Sequence, residues 1–265
     1  MKIGFIGCGN MASAIIKGAV SSNFIEGENI FVFDTIREKM NKLHNELNVT
    51  ICDSGNEVVC NTDIVVLAVK PQMFPVVIPK IADDVCKNGT AVVSIGAGKT
   101  TQYITNFFDE DVPVCRVMPN INAKVGASMS AVCGNDFAGK ELIETVKELC
   151  ESFGEVIEIS EEQFPLFSVI GGCSPAFVYM FIDSLARAGV QNGMSKSDAL
   201  KISAQAVLGS AKTILNDSAH PWELVDNVCS PGGTTIEGVV SLQNDGFESS
   251  VIRAVNKSLE KDKKL

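Results

Sequence analysis

Near its start the chain reads Gly7-Cys8-Gly9-Asn10-Met11-Ala12, with a short apolar run over residues 2–6 before it and a helical pattern over 11–21 after it. Few folds place G-x-G-x-x-A at such a junction. Gly7 makes the tight turn, Gly9 lets a pyrophosphate approach the backbone, and Ala12 lets the helix pack close to the strand. The helix start then offers free N–H groups and its positive dipole end to phosphate. The spacing predicts a strand, turn and helix at the edge of a parallel sheet, with a dinucleotide over Gly7, Gly9, Asn10, Met11 and Ala12.

The next part of the chain keeps this alternation. Residues 29–34 (NIFVFD) form a second strand pattern, followed by a charged helix near 36–46. Residues 49–52 are short and strand-like, and 63–69 (DIVVLAV) are continuously apolar, as in a strand buried on both faces. Residues 91–95, 112–117, 128–133 and 155–159 repeat the strand pattern, with a helix near 137–152. Strand and helix in alternation predict an α/β domain with a mostly parallel sheet over 1–160. From 161 to 265 no strand pattern remains. Residues 175–192, 195–216 and 246–260 are helical and rich in small residues, and Ser195-x-x-Asp198 resembles a capping box with Asp in place of Glu. The expectation is a second, all-helical domain over 161–265, whose charged last residues, 261–265, fray.

Charge and cysteine usage remove several function classes. A net charge of −10 with no basic stripe argues against nucleic acid as a partner. No stretch reads as the roughly 20 apolar residues of a membrane span, and the start has no secretory pattern. Nine scattered cysteines without a C-x-x-C pair, and two distant histidines, His44 and His220, argue against a disulfide framework or a metal site. They point to the cytoplasm, with the cysteines acting as small buried hydrophobes.

Further candidates fall at strand ends. Asp34 ends the second strand, where an acidic side chain holds the adenosine ribose hydroxyls and favours NADH. It also suits the cap of the next helix. Arg37 would instead meet a 2′-phosphate and favour NADPH, and both cofactors stay open. Ala68-Val69-Lys70-Pro71 leaves the fourth strand, and residues 94–98 (SIGAG) form a small-residue loop at the same edge. Arg116-Val117-Met118-Pro119-Asn120 leaves another strand there, and Arg116 also reads as one half of a surface ion pair. In the helical part, Asn227-Val228-Cys229-Ser230-Pro231-Gly232-Gly233-Thr234-Thr235 is a Pro-Gly-Gly turn entering a helix. Such a turn presents backbone N–H groups that can hold a carboxylate without lysines. The plain alternative is a glycine turn with a threonine cap.

Residues 221–243, with their Ser-Pro-Gly-Gly-x-Thr core, resemble the signature of pyrroline-5-carboxylate reductases. The FIGCGNMA start, the AVKP tetrad, the R-x-MPN run and the chain length are also similar to that family. The resemblance implies a Rossmann-type first domain and a helical domain that forms an intertwined homodimer, often assembled into a decamer. It implies hydride transfer from NADPH or NADH to 1-pyrroline-5-carboxylate, a small imino acid, in the last step of proline biosynthesis. It also implies that Gly233, Thr234 and Thr235 hold the substrate carboxylate, that Thr235 serves the ring nitrogen, and that Ser230 and Asn227 line the pocket. Met118, Pro119 and Asn120 would lie near the nicotinamide. One segment departs from the pattern: Gly171-Gly172-Cys173-Ser174-Pro175-Ala176-Phe177 stands where the family shows Ser-Gly-Ser-Gly-Pro-Ala-Tyr. A β-hydroxyacid dehydrogenase would need a lysine there, and the segment has none. A protein that senses the nucleotide without turnover would have no use for the Pro-Gly-Gly-Thr-Thr turn.

Overall fold

The computed structural model describes residues 1–262. It divides into two compact units, Met1–Gly172 with Asp262, and Cys173–Lys261.

In the first unit β1 (Ile3–Ile6) leads into α1 (Asn10–Ser21), β2 (Ile30–Phe33) into α2 (Arg37–Leu47), and β3 (Thr50–Ile51) into α3 (Gly55–Cys60). Then follow β4 (Ile64–Leu67), α4 (Phe74–Asn88), β5 (Ala91–Ser94), α5 (Thr101–Thr105) and β6 (Val114–Met118). The unit ends with β7 (Ser128–Gly134), α6 (Lys140–Glu151), β8 (Gly154–Glu158) and the short α7 (Phe164–Phe167). The eight strands make one sheet in the order β3-β2-β1-β4-β5-β6-β7-β8. All pairs are parallel except β6 with β7. This is the mostly parallel, Rossmann-like sheet that the alternation predicts.

The continuous apolar run of β4 has a direct cause. Ile64 and Val66 point into one cluster with Ile15, Ile16 and Phe153, while Val65 and Leu67 point into the other with Phe74, Ile78 and Val85. A strand covered on both faces has no side for polar residues. Each fully buried side chain of this kind contributes about 1.5–3 kcal/mol. Sequence patterning left α4 unassigned because Pro71, Pro75 and Pro79 crowd its start. Phe74, Ile78, Ile81 and Val85 nevertheless share its buried face. Pro75 occupies the first turn, where its N–H is not needed, and Pro79 forfeits only the bond to the Pro75 carbonyl.

The second unit contains α8 (Ser174–Gln191), α9 (Lys196–Asn216), α10 (Pro221–Val228), α11 (Thr234–Asn244) and α12 (Phe247–Asp262). It is wholly helical among the described residues. Of the segment expected to fray, Lys261 and Asp262 form the last turn of α12, and 263–265 lie outside the described residues. The Ser195 hydroxyl accepts from the Asp198 N–H at 3.2 Å. The return bond differs from a capping box, because the Asp198 carboxylate accepts from the Ser195 hydroxyl at 2.7 Å. Asp is one methylene too short for the reach of Glu. Gly189 lets α8 and α9 approach, since a Cβ on it would lie 3.0 Å from that of Ala199.

One sequence expectation is corrected. Helical structure runs unbroken over Glu161–Gln191, and by length and composition alone that run could cross a membrane. The glycines, serines and Cys173 inside it do not interrupt the helix. Ser168, Gly171, Gly172 and Cys173 are absorbed in a π-helical turn, Ser168–Cys173, just before Pro175. Pro175 has no N–H for the carbonyl of Gly171, and that carbonyl accepts from Asn120 Nδ2 at 3.0 Å.

Candidate active site

The sheet brings the predicted cofactor residues to one edge. Ile6 stands in register with Phe33 of β2 and Leu67 of β4. Gly7, Asp34 and Ala68 are therefore the next residues out on three adjacent strands. Between β1 and β4 the strand order reverses, the position at which such sheets bind ligands. Gly7 has φ +102°, and a Cβ there would lie 2.8 Å from the Ala68 backbone. Any side chain would strain the turn and push β1 from β4. Around Gly9 the opposite holds, with nothing within 4 Å of an added Cβ. The helix behind it has no side-chain cap, so its first N–H groups face that open space. Ala12 is buried in the helix–sheet core. An uncapped helix start, a glycine turn and free space in front fit a dinucleotide pyrophosphate.

Asp34 is held from both sides. Its Oδ2 accepts from the Cys8 N–H at 2.8 Å, and its Oδ1 accepts from the Ile36 N–H at 2.9 Å. Lys39 Nζ lies 3.3 Å from Oδ2. Arg37 points elsewhere and pairs with Asp53 at 2.9 Å, where both side chains are exposed. Lys39 went unnoticed in the sequence, though its place one turn into α2 was a usable signal. Burial, with the Asp34 charge beside it, pushes the Cys8 thiol up to about 12, so Cys8 offers no thiolate to the site. A groove of about 760 Å³ opens from Cys8, Gly9 and Asn10 along α1 and is also lined by Lys17, Lys39, Lys42 and Lys124.

Val69 and Pro71 are half-buried at the exit of β4, and Lys70 is exposed. Met118 and Pro119 leave β6 half-buried. Asn120 is buried and its carboxamide is engaged, donating to Gly171 and accepting from the Asn122 N–H. Arg116 forms a buried ion pair rather than a surface one. Its guanidinium lies 3.2 Å from Glu161 and over the Phe164 ring at 4.3 Å. Glu161 also accepts from the Thr101 N–H and hydroxyl at 2.8 and 2.9 Å. Sequence reading missed this network, because Arg116, Thr101 and Glu161 are far apart in the chain.

In the second unit Asn227 lies near the end of α10, and Ser230 opens the turn into α11. The Gly233 N–H donates to the Ser230 carbonyl at 2.9 Å, and Gly232 takes a left-handed φ of +66°. Gly233 caps α11 without a side chain. The N–H groups of Thr234, Thr235 and Ile236 thus head an eleven-residue helix with no competing acceptor from a cap. Asn227, Ser230, Thr234 and Thr235 are exposed in the single chain. His220 is spent on structure: its Nδ1 accepts from the Trp222 N–H and caps α10.

Known proteins resemble this chain along its whole length. Residues 161–265 match the family model for pyrroline-5-carboxylate reductase dimerisation, and residues 2–98 match that for NADP oxidoreductase, coenzyme F420-dependent. A pyrroline-5-carboxylate reductase of Escherichia coli (strain K12) is 40% identical over 264 residues, covering 100% of this chain and 98% of the relative. The chain belongs to the pyrroline-5-carboxylate reductase family. Among solved structures, the enzyme from Coxiella burnetii superposes with a TM-score of 0.94 at 28% identity, over 99% of this chain and 97% of that one. The Plasmodium falciparum enzyme, crystallised with NADP bound, gives 0.87 at 30% identity, over 99% and 97%. As a member of the family the chain is an NAD(P)H-dependent oxidoreductase acting on a small molecule. Its helical unit is the part through which copies associate into a homo-oligomer.

Proposed function

We propose that this chain reduces 1-pyrroline-5-carboxylate to L-proline, with Thr235 as the residue nearest the chemistry. The uncapped start of α11 carries the reading. A dinucleotide bound at the glycine turn would supply the hydride. The chain supplies position, and the proton on the ring nitrogen comes from solvent. The backbone N–H groups of Thr234 and Thr235, with Gly233 shaping the turn, hold the substrate carboxylate at the positive end of the helix dipole. A protonated cyclic imine is already electrophilic, so the site needs no histidine and no strong base. The Thr235 hydroxyl, or a water on it, serves the ring nitrogen, and Asn227 and Ser230 complete the polar lining. At the sheet edge Gly7, Gly9, Asn10, Met11 and Ala12 take the pyrophosphate. Ala68, Val69, Lys70, Pro71, Met118, Pro119 and Asn120 shape the rest of the cofactor site.

Residues 1–160 are the cofactor domain and 161–265 the substrate and dimerisation domain. The assembling unit is a homodimer that builds a higher oligomer such as a decamer. The apolar surface of Glu161–Gln191 is the surface a second copy covers. Nine free thiols suit the cytoplasm.

Loss of reduced-nicotinamide absorbance on adding pyrroline-5-carboxylate tests the activity. Thr235→Ala lowers kcat/KM about tenfold or more, as expected for one lost polar contact, while Thr235→Ser retains most of it. Wild-type kinetics in Thr235→Ala would remove Thr235 from the mechanism.

A further inference from the structure

A relative from Plasmodium falciparum was crystallised with NADP bound, and the family model matched by residues 2–98 is described for NADP. The end of β2 in this chain carries an acidic residue, Asp34. We propose that Asp34 makes this enzyme select NADH over NADPH. The inference rests on the dinucleotide reading of the glycine turn and goes beyond it.

The argument starts from how the carboxylate is held. Two main-chain N–H groups, those of Cys8 and Ile36, grip its two oxygens at 2.8 and 2.9 Å. One belongs to the glycine turn and the other to the start of the β2–α2 connection. The side chain is only 10% exposed. It therefore cannot swing aside to admit a second anion without leaving two N–H groups unpaired.

A carboxylate has about four acceptor positions, and the chain uses three, counting Lys39 at 3.3 Å. One position on Oδ1 is open, and the long Lys39 contact on Oδ2 is easily displaced. That is the capacity needed for the two hydroxyls of an adenosine ribose, the usual ligand of an acidic residue at this place. A 2′-phosphate brings two negative charges and no proton to share.

Among the cations around the groove, three already have a carboxylate partner. Arg37 is paired with Asp53, Lys17 with Glu46, and Lys39 with Asp34 itself. Like-charge juxtaposition at a fixed carboxylate typically costs about 100-fold in affinity.

The test is equilibrium binding by calorimetry, with the full-length protein and the oxidised dinucleotides, so that no turnover is involved. NAD⁺ binds about 30- to 100-fold more tightly than NADP⁺. Raising the salt shortens the screening length from about 10 Å at 0.1 M to about 3 Å at 1 M, and the NADP⁺ to NAD⁺ ratio of Kd falls. Were Arg37 or a lysine of the groove the ligand of a 2′-phosphate, that ratio would rise with salt instead.

Asp34→Asn removes the charge and keeps the shape, and Asp34→Ser removes both. In either variant the two Kd values converge to within about threefold. The salt series needs only wild-type protein, so it decides even if both variants misfold. Equal or tighter binding of NADP⁺, or a ratio that rises with salt, overturns the inference and leaves the reductase reading standing. Failure to bind either dinucleotide overturns both.

Discussion

The two units bury their apolar residues in opposite measure. In the first, two clusters on the two faces of β1, β4 and β5 and a smaller one at β7 and α7 enclose Phe5, Phe74, Phe153 and Phe164 almost completely. In the second, Ala186, Ala199, Ser203 and Pro175 are the buried residues of α8 and α9, and α10 to α12 have none. Met180, Ile202, Leu215 and Ile252 are 71, 55, 81 and 60% exposed. Ordering a residue costs about 1–2 kcal/mol in backbone entropy, and a helical unit that buries so little cannot offset that alone. The difference teaches that the sheet unit is complete in one copy, whereas the helical unit completes its core with another.

The largest test of that contrast is a charge on the exposed helical face. Met180→Asp raises the dissociation constant of the assembly about 100-fold or more, as for an interface hot spot. Light scattering then reports a smaller species, and far-UV circular dichroism loses helix while dinucleotide still binds the first unit. An unchanged mass would mean that Met180 faces solvent in the assembly.

The mirror experiment sits in the first unit. Phe153 is 1% exposed and packs against Gly18 of α1. Phe153→Ala costs about 3–5 kcal/mol of stability, read by denaturant unfolding, and leaves the assembled mass unchanged. A fall in mass would show that the sheet unit too depends on its neighbours.

A smaller effect sharpens where the first unit ends. Glu161 opens the segment matched by the dimerisation model, yet it is tied to Arg116 and Thr101 of the sheet unit. Glu161→Ala leaves the Arg116 charge buried without its partner and costs about 2 kcal/mol, less than a fully buried pair because Glu161 is partly solvated. Thermal unfolding of the sheet unit checks it, and an unchanged midpoint would assign Glu161 to the helical unit alone.

What the sequence made legible follows the same contrast. The buried strands announced themselves through local patterns, such as the unbroken run of β4, and the glycine turn through fixed spacing. α4 stayed hidden because Pro75 and Pro79 look like breakers until Phe74, Ile78, Ile81 and Val85 are seen on one face. The Asp34 position was visible, but its grip by the Cys8 and Ile36 N–H groups was not. Spacing cannot show which way Arg37 turns, and it turns to Asp53. In the helical part, the apolar run over Glu161–Gln191 escaped notice because small residues dilute it, and a π-helical turn has no sequence period to read.

The smallest effect concerns a polar tie between the first two helices of the second unit. Asp183 of α8 accepts from Lys196 at the start of α9 and from Arg187 on its own helix. Hydrogen bonds from Lys196 and then Arg187 hold its carboxyl below the usual carboxylate value. A carboxylate whose folded pKa is depressed contributes stability that is fully present above the unfolded value, about 3.9. That contribution is lost as pH falls through the lower folded value, while Lys196 and Arg187 stay charged. The thermal midpoint of wild type should therefore exceed that of Asp183→Asn near neutral pH. The gap closes below about pH 4, as the carboxyl of the wild type takes up its proton. The pair is exposed, so the gap is small and shrinks in salt. If the gap persists at low pH, the carboxylate charge is not its source, and the α8–α9 pairing rests on packing such as that of Gly189 against Ala199.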